Sequence, residues 1–253
     1  MRNSQVQAII LKTNPVAEIH RGVTLFTQSR GILSAMAYGA ESGKGKLKGV
    51  TMPFCYGTFY MYTDPVKGNS KITDTQIYSY FEGIRKNIVT FYTASLWAEA
   101  ILKSYGGGGG GSMFPLFIRS LQILERKSGE EGRTVSIQFF TRFLKELGVS
   151  PELSCCSRCG VSYAEMPGPR FREGELMCRD CGGEYPEMSL GAHRYLLHTS
   201  GRSLEESVKV GLDEASRDQI LTFLHNLVQS ELEVPLNTLK SGRSILEGKT
   251  GGK

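Results

Sequence analysis

Tryptophan occurs once in these 253 residues and histidine four times, and no apolar run approaches the roughly 18 residues that a membrane span needs. The four histidines, His20, His193, His198 and His225, are too scattered to share one ion. No phosphate-binding P-loop, nucleophile elbow or dinucleotide fingerprint is found. The glycine run 106–111 lacks the Lys-Ser/Thr pair of a phosphate cradle. No catalytic residue is assigned, and the chain is read as non-enzymatic. Nor does an apolar signal core follow Met1–Gln5, so a cytoplasmic location is expected. Acidic residues are scarce in one region only. Residues 1–73 carry nine Lys/Arg against Glu18, Glu41 and Asp64, whereas the remaining 180 residues hold 21 against 22. A positive field confined to one segment points to a polyanionic partner, nucleic acid first, against the plainer reading of a solvated surface.

What is present falls into two patterns. Short apolar and β-branched runs at Val6–Thr13, Val23–Gln28, Ile32–Tyr38, Phe54–Tyr62 and Val66–Thr73 are separated by turn residues and by the glycine- and lysine-rich loop Gly39–Gly49. Five short strands in about 70 residues suit a small OB-type barrel, with an SH3-like barrel as the alternative. After Asp74 the period lengthens. Ile77, Phe81, Ile84, Ile88, Phe91 and Leu96 predict one long helix to about Lys103. The six glycines are expected to form a flexible connector. Helices are predicted around Phe114–Leu124, Ile137–Leu147, Ser189–Leu197 and Glu214–Leu232, and the polar tail from Lys240 is expected to fray. The fold class is therefore α+β: an OB-type barrel over 1–75, then a helical body over 76–253 with an inserted ribbon at 154–185.

The strongest motif is a pair of C-x-x-C units, Cys156/Cys159 and Cys178/Cys181, 18 residues apart. This spacing suits one structural Zn2+ held by four thiolates, with no open position for water or substrate. A glycine after each second cysteine is expected to take positive φ and turn amides toward the sulfurs. Cys155, directly before Cys156, is an alternative ligand, and a redox dithiol is the alternative chemistry.

In the basic segment, Lys44, Lys46 and Lys48 alternate along the loop, and Lys12, Arg21, Arg30, Lys67 and Lys71 extend the cationic set as candidate phosphate contacts. Alternation places Phe54, Tyr56, Thr58, Tyr60 and Tyr62 on one strand face opposite Cys55, Phe59 and Met61. Tyr56 and Tyr60 are the candidates for stacking on unpaired bases. Two rivals are weighed: a zinc-ribbon RNA-binding or transcription factor using Arg158, Arg170, Arg172 and Arg179, and a nucleic-acid enzyme with an unfamiliar active site.

The order of these features resembles the RecO family along nearly the whole chain. The stretches that carry the resemblance are Ala8–Lys12, Leu25–Thr27, Gly31–Leu33, Ala37–Ala40 and Pro53-Phe54, then Ala94–Ala100, Phe143–Gly148, Pro151–Leu153, Cys156–Gly160, and Val234–Leu236 with Lys240-Ser241. The resemblance implies an OB-fold that binds single- and double-stranded DNA, a zinc site on the four cysteines, strand annealing, and action with RecR to load RecA onto strands coated by single-strand-binding protein (SSB). It also implies contact with the acidic tail of SSB, for which Arg119, Arg126, Arg133 and Arg142 are candidates. Three features depart from the family pattern: Glu41 in the basic loop, the glycine run, and Cys155.

Overall fold

A computed structural model describes residues 3–43, 45–104, 110–127, 129–163, 169–172 and 174–246. The chain forms two compact units, one of Met1–Lys86 with Ala98–Leu121 and one of Asn87–Trp97 with Gln122–Lys253.

The first unit is built on β1 (Asn3–Val16), β2 (His20–Thr27), β3 (Gly31–Ala37), β4 (Tyr56–Thr63) and β5 (Ser70–Ser79). They close into a barrel in the order β1-β2-β3-β5-β4, with β4 returning to β1 and β3 meeting β5 in parallel at Met36 and Lys71. This is the OB-type barrel expected from the strand count. Its interior is filled by alternate residues of every strand, among them Val6, Ala8, Ile10, Val23, Leu25, Ala35, Phe59, Met61 and Ile72. The strands were readable as short apolar, β-branched runs bounded by turn residues, and alternation placed Phe59 and Met61 inward. The short helix α1 (Glu82–Lys86) follows, and α2 (Ile88–Ser104) begins in the second unit and ends in the first. From α3 (Met113–Leu124), Phe114 and Phe117 pack on Phe26 at ring distances of 5.5 and 6.5 Å. Phe26 faces out of the barrel, so this contact buries an aromatic that would otherwise meet water.

Four expectations are corrected here. β1 runs through Asn14-Pro15 to Val16, because β4 pairs only Asn3–Ile9 and leaves Pro15 with one neighbour, β2, where a missing amide is tolerated. β5 extends to Ser79, so Ile77 is a strand residue and no single helix spans 77–103. Asn87 separates α1 from α2, its side-chain oxygen accepting the amides of Val89 and Thr90 as a helix cap does. Finally, Phe54 precedes β4, is buried and has positive φ, so it does not extend the tyrosine face, whereas Cys55 joins Phe59 and Met61 in the barrel core as expected.

The second unit centres on α4 (Gly129–Glu146), buried without interruption from Gly132 to Phe140 and packed against α8 (Glu214–Glu231), which also packs on α6 (Leu190–Thr199). A helix covered on all sides must satisfy its polar side chains internally. Gln138 accordingly donates to the Tyr195 hydroxyl and the Thr199 hydroxyl at 2.9 and 3.1 Å, and Ser136 accepts the Trp97 indole N–H at 3.1 Å. Between α4 and α6 lie the hairpin β6 (Arg170–Arg172) and β7 (Glu175–Met177) and the single turn α5 (Arg179–Gly182). α6 and α8 start at Ser189 and Asp213, whose side chains cap the amides of Ala192 and Ser216. The short α7 (Leu204–Ser207) carries a capping box of Ser203 and Glu206. The chain from Asn237 to Leu246 is helical (α9), so fraying from Lys240 is not borne out over those residues, and 247–253 lie outside the described residues. Gly106–Gly109 of the glycine run also lie outside them.

Candidate metal centre and nucleic-acid interface

The two cysteine pairs sit on matching turns. In the first, the Gly160 amide returns to the Cys156 carbonyl at 2.9 Å, and Gly160 has φ +73°. In the second, the Gly182 amide returns to the Cys178 carbonyl at 2.8 Å. Gly182 itself is helical and the left-handed residue is Gly183, at φ +52°, which corrects the expectation for the second pair. Gly182 is glycine for a different reason: a Cβ there would meet the Arg170 Cβ at 2.8 Å. The Ser157 amide bonds the Leu176 carbonyl at 3.0 Å and so ties the first turn to β7.

These turns bring the sulfurs of Cys156, Cys159, Cys178 and Cys181 within 4.8 Å of one another, with Cys159 Sγ and Cys178 Sγ 3.6 Å apart. Four thiolates around a tetrahedral ion at about 2.3 Å stand roughly 3.8 Å apart, so the donor set fits a metal ion of zinc's size and preference. Cys155 is not one of the four. Its backbone pairs with Ser162 beside the turn instead. Cys156 and Cys178 are buried, Cys181 half-buried and Cys159 exposed. Burial alone would push the Cys156 thiol up. The backbone amides of Cys178, Cys159 and Arg158 outweigh it and bring Cys156 down from 9.0 to about 6. Cys181 is pushed up to about 12 by sharing its proton with the Cys178 and Cys159 sulfurs. One corner of the cluster is thus prepared as an anion before any ion arrives.

The ribbon is anchored to its helices by two ring contacts. Tyr163 meets the His193 ring edge-on at 5.1 Å, and His193 Nε2 lies 2.7 Å from the Leu153 carbonyl. Phe171 of β6 meets Phe223 of α8 at 5.7 Å. His193 is therefore a packing and hydrogen-bonding residue.

On the barrel, Lys12, Arg30, Lys46, Lys48, Lys67 and Lys71 are exposed, and Lys44 lies outside the described residues. Arg21 is not a surface cation. It is 6% exposed, and its guanidinium binds the Glu41 carboxylate, the Lys48 carbonyl and the Thr51 hydroxyl at 2.7 to 3.1 Å. The same contact explains Glu41 in an otherwise basic loop. Lys46 pairs with Asp74 at 3.0 Å, and Lys71 lies over the Tyr62 ring, 5.3 Å from its centre. Tyr60 is exposed, as expected of a stacking residue. Tyr56 is occupied: its ring meets Tyr78 at 5.5 Å and Phe114 at 6.1 Å, and its hydroxyl receives the Gln7 amide. Sequence reasoning missed Tyr78, which β5 places beside Tyr56, because 77–84 also fits a helical period.

No helix among the described residues is long and apolar enough to cross a membrane. Two family models match the chain, Recombination protein O N terminal over residues 1–81 and Recombination protein O C terminal over 85–240. The chain is 30% identical over 215 residues to the DNA repair protein RecO of Heliobacterium modesticaldum, covering 81% of this chain and 77% of that protein. It is 27% identical over 248 residues to the DNA repair protein RecO of Desulfosudis oleivorans, covering 92% and 94%. A barrel, a helical unit and a cysteine cluster in this order, matched by both family models, place the chain in the recombination protein O (RecO) family.

Proposed function

We propose that this chain is a DNA repair and recombination mediator. It binds single- and double-stranded DNA on the barrel, anneals complementary strands, and acts with RecR to load RecA onto SSB-coated single strands. The observation that carries this reading is that the closed barrel is formed by a segment with nine Lys/Arg against three acidic residues over positions 1–73. Lys12, Arg30, Lys46, Lys48, Lys67 and Lys71 neutralise phosphates, joined by Lys44, and Tyr60 offers a ring to an unpaired base. Annealing needs no bond chemistry, since two strands held on one surface meet at high effective concentration.

The ion in the four-cysteine site is zinc, held by Cys156, Cys159, Cys178 and Cys181. It cross-links the ribbon to itself and leaves no coordination position for a substrate. The ribbon's own cations support a structural role. Arg158 pairs with Glu175 at 3.5 Å, Arg170 with Glu187 at 3.7 Å, and Arg172 lies over the Tyr185 ring. For the acidic SSB tail, the helical unit offers a groove of about 360 Å³ lined by Leu153, Leu196, Leu197 and Leu224, with exposed Lys145 beside it, Glu152 also in its lining, and Arg142 already bonded to Gln138, the Arg202 carbonyl and Ser207. Arg133, by contrast, is buried and paired with Asp218.

The test is annealing of SSB-coated complementary oligonucleotides at two salt concentrations. Salt-sensitive acceleration, lost when Lys44, Lys46 and Lys48 become Ala, supports the reading. No acceleration at low salt by the metal-loaded protein overturns it.

A further inference from the structure

OB barrels commonly take oligonucleotides across strands 2 and 3. In this chain that surface is poorly equipped. The outward residues of β2 and β3 pair as Gly22 with Met36, Thr24 with Ser34 and Phe26 with Ile32. Phe26 is fully buried under Phe114 and Phe117, and at the other end of the face the exposed Tyr38 ring is met edge-on by His20 of β2 at 4.9 Å. The exposed ring of this side is thus already paired with His20, and its exposed cation, Arg30, stands in the turn before β3 while Tyr38 follows β3, so ring and cation are not side by side.

The opposite side is different. The registers of β1, β4 and β5 align three outward rows: Asn3–Tyr62–Lys71, Gln5–Tyr60–Asp74 and Gln7–Thr58–Gln76. Their inward neighbours Val6, Ala8, Phe59, Met61 and Ile72 fill the barrel, so the rows face out. The face is nearly neutral, with one cation and one anion, and its side chains are rings, amides and hydroxyls. Rings take the flat surfaces of bases, and amides take their edges. Phosphates want cations, and these stand on and beside the rows: Lys71 over Tyr62, Lys46 paired with Asp74 at 3.0 Å, and exposed Lys67 in the turn between β4 and β5.

We infer that the outer face of β1, β4 and β5 is a base-stacking platform for single-stranded DNA, with successive bases on Tyr60 and Tyr62 and the backbone along Lys71 and Lys67. The two tyrosines are two residues apart on one strand, roughly 7 Å, and aromatic pairs on an open sheet hold successive bases in this way. Gln5, beside Tyr60, presents its amide to a base edge. The platform ends at Tyr56, whose ring is already covered by Phe114. This inference rests on the DNA-binding reading and fixes where the unpaired strand lies.

The experiment measures binding of the metal-loaded full chain to fluorescent oligo-dT and to an abasic strand of equal length, across a salt series. The wild-type protein is expected to prefer oligo-dT. The double variant Tyr60→Ala, Tyr62→Ala should lose at least about thirty-fold in affinity for oligo-dT, the usual worth of stacking for two bases. It should bind the abasic strand as the wild type does, with an unchanged salt slope, because no phosphate contact is removed. Tyr60→Phe keeps the ring and should bind oligo-dT within about two-fold of wild type. Equal wild-type affinity for both strands, or a folded double variant that binds oligo-dT normally, overturns the platform and leaves the mediator reading intact. Should the double variant fail to fold, the wild-type preference decides alone. No binding of either strand at low salt overturns both readings.

Discussion

The Arg21 Nε donates to the Glu41 carboxylate at 2.7 Å, while the same guanidinium holds the Lys48 carbonyl and the Thr51 hydroxyl. One buried side chain thus fastens both ends of the basic loop to β2. Arg21→Ala would strand a carboxylate and two polar groups near the barrel end. It is expected to cost about 3 kcal/mol, the low end for breaking a buried pair because Glu41 is itself one-third exposed. Arg21→Lys should recover little, since an ammonium cannot reproduce the fork that serves three acceptors. Thermal unfolding measures both. DNA affinity of the folded fraction should stay near that of wild type, whereas a phosphate-contact role would appear as a shallower salt slope.

Metal removal tests the ribbon. Cys156→Ala is expected to abolish stoichiometric zinc binding and Cys155→Ala to leave it intact, as measured by metal analysis after gel filtration. Chelation should open 154–187 to proteases while most of the helical circular dichroism persists, because α4, α6 and α8 pack independently of the ion. The folded Cys156 thiol lies below its ordinary value, so its contribution to the metal-free ribbon is present above 9.0 and is lost as pH falls through about 6. Zinc uptake must displace that proton only on the acid side of this window. Calorimetry in buffers of different ionisation enthalpy should therefore find about one more proton released per ion near pH 5 than near pH 7.5. Equal release at both would remove the special status of Cys156.

The barrel and the cysteine site were legible because their signals are strictly local. Short apolar, β-branched runs between turn residues marked the strands, alternation placed Phe59 and Met61 inward, and the two C-x-x-C units define their own turns. The misread stretches have other causes. Ile77, Phe81 and Ile84 satisfy helical spacing as well as strand alternation, so periodicity alone could not end β5 at Ser79. Arg21 alternates in step with Val23 and Leu25, a sign that it points inward, yet its charge argued for the surface until Glu41 and Thr51 came into contact. α9 was hidden by Lys240, Ser241 and Gly242, a polar run whose glycine is explained only by Tyr92. A Cβ at Gly242 would stand 2.2 Å from that ring.

Lys46 and Asp74 connect the basic loop to β5 at 3.0 Å, both largely exposed. The Lys46 ammonium, then the Thr75 amide, hold the Asp74 carboxyl below its ordinary 3.8. A folded value below the unfolded one means that this stabilisation is complete above pH 3.8 and is lost as pH falls further, so the pair stays ionised at any working pH. If Lys46 takes a phosphate as proposed, Asp74 competes for the same ammonium. Asp74→Asn is expected to raise affinity for single strands about three- to ten-fold at low salt and to steepen the salt slope by about one phosphate contact. An unchanged slope would show that Lys46 does not reach the DNA backbone.

Gly110 shows that part of the glycine run is packed against the barrel. A Cβ at this position would lie 2.5 Å from the Thr27 carbonyl oxygen and 3.0 Å from the Phe114 Cβ, beside the ring of Phe26. Its amide neighbourhood starts α3, the Phe114 amide bonding the Gly110 carbonyl at 2.9 Å. A backbone oxygen cannot step aside as a flexible side chain does, so Gly110→Ala must shift the start of α3 away from β2 and loosen Phe114 over Phe26. The expected cost is about 1–3 kcal/mol in the thermal or denaturant midpoint. Gly43→Ala, where nothing lies within 4 Å, is the matched control and should change stability by no more than about 0.5 kcal/mol. If both variants unfold like wild type, Gly110 serves as a spacer and the close approach of α3 to β2 is not what requires glycine there.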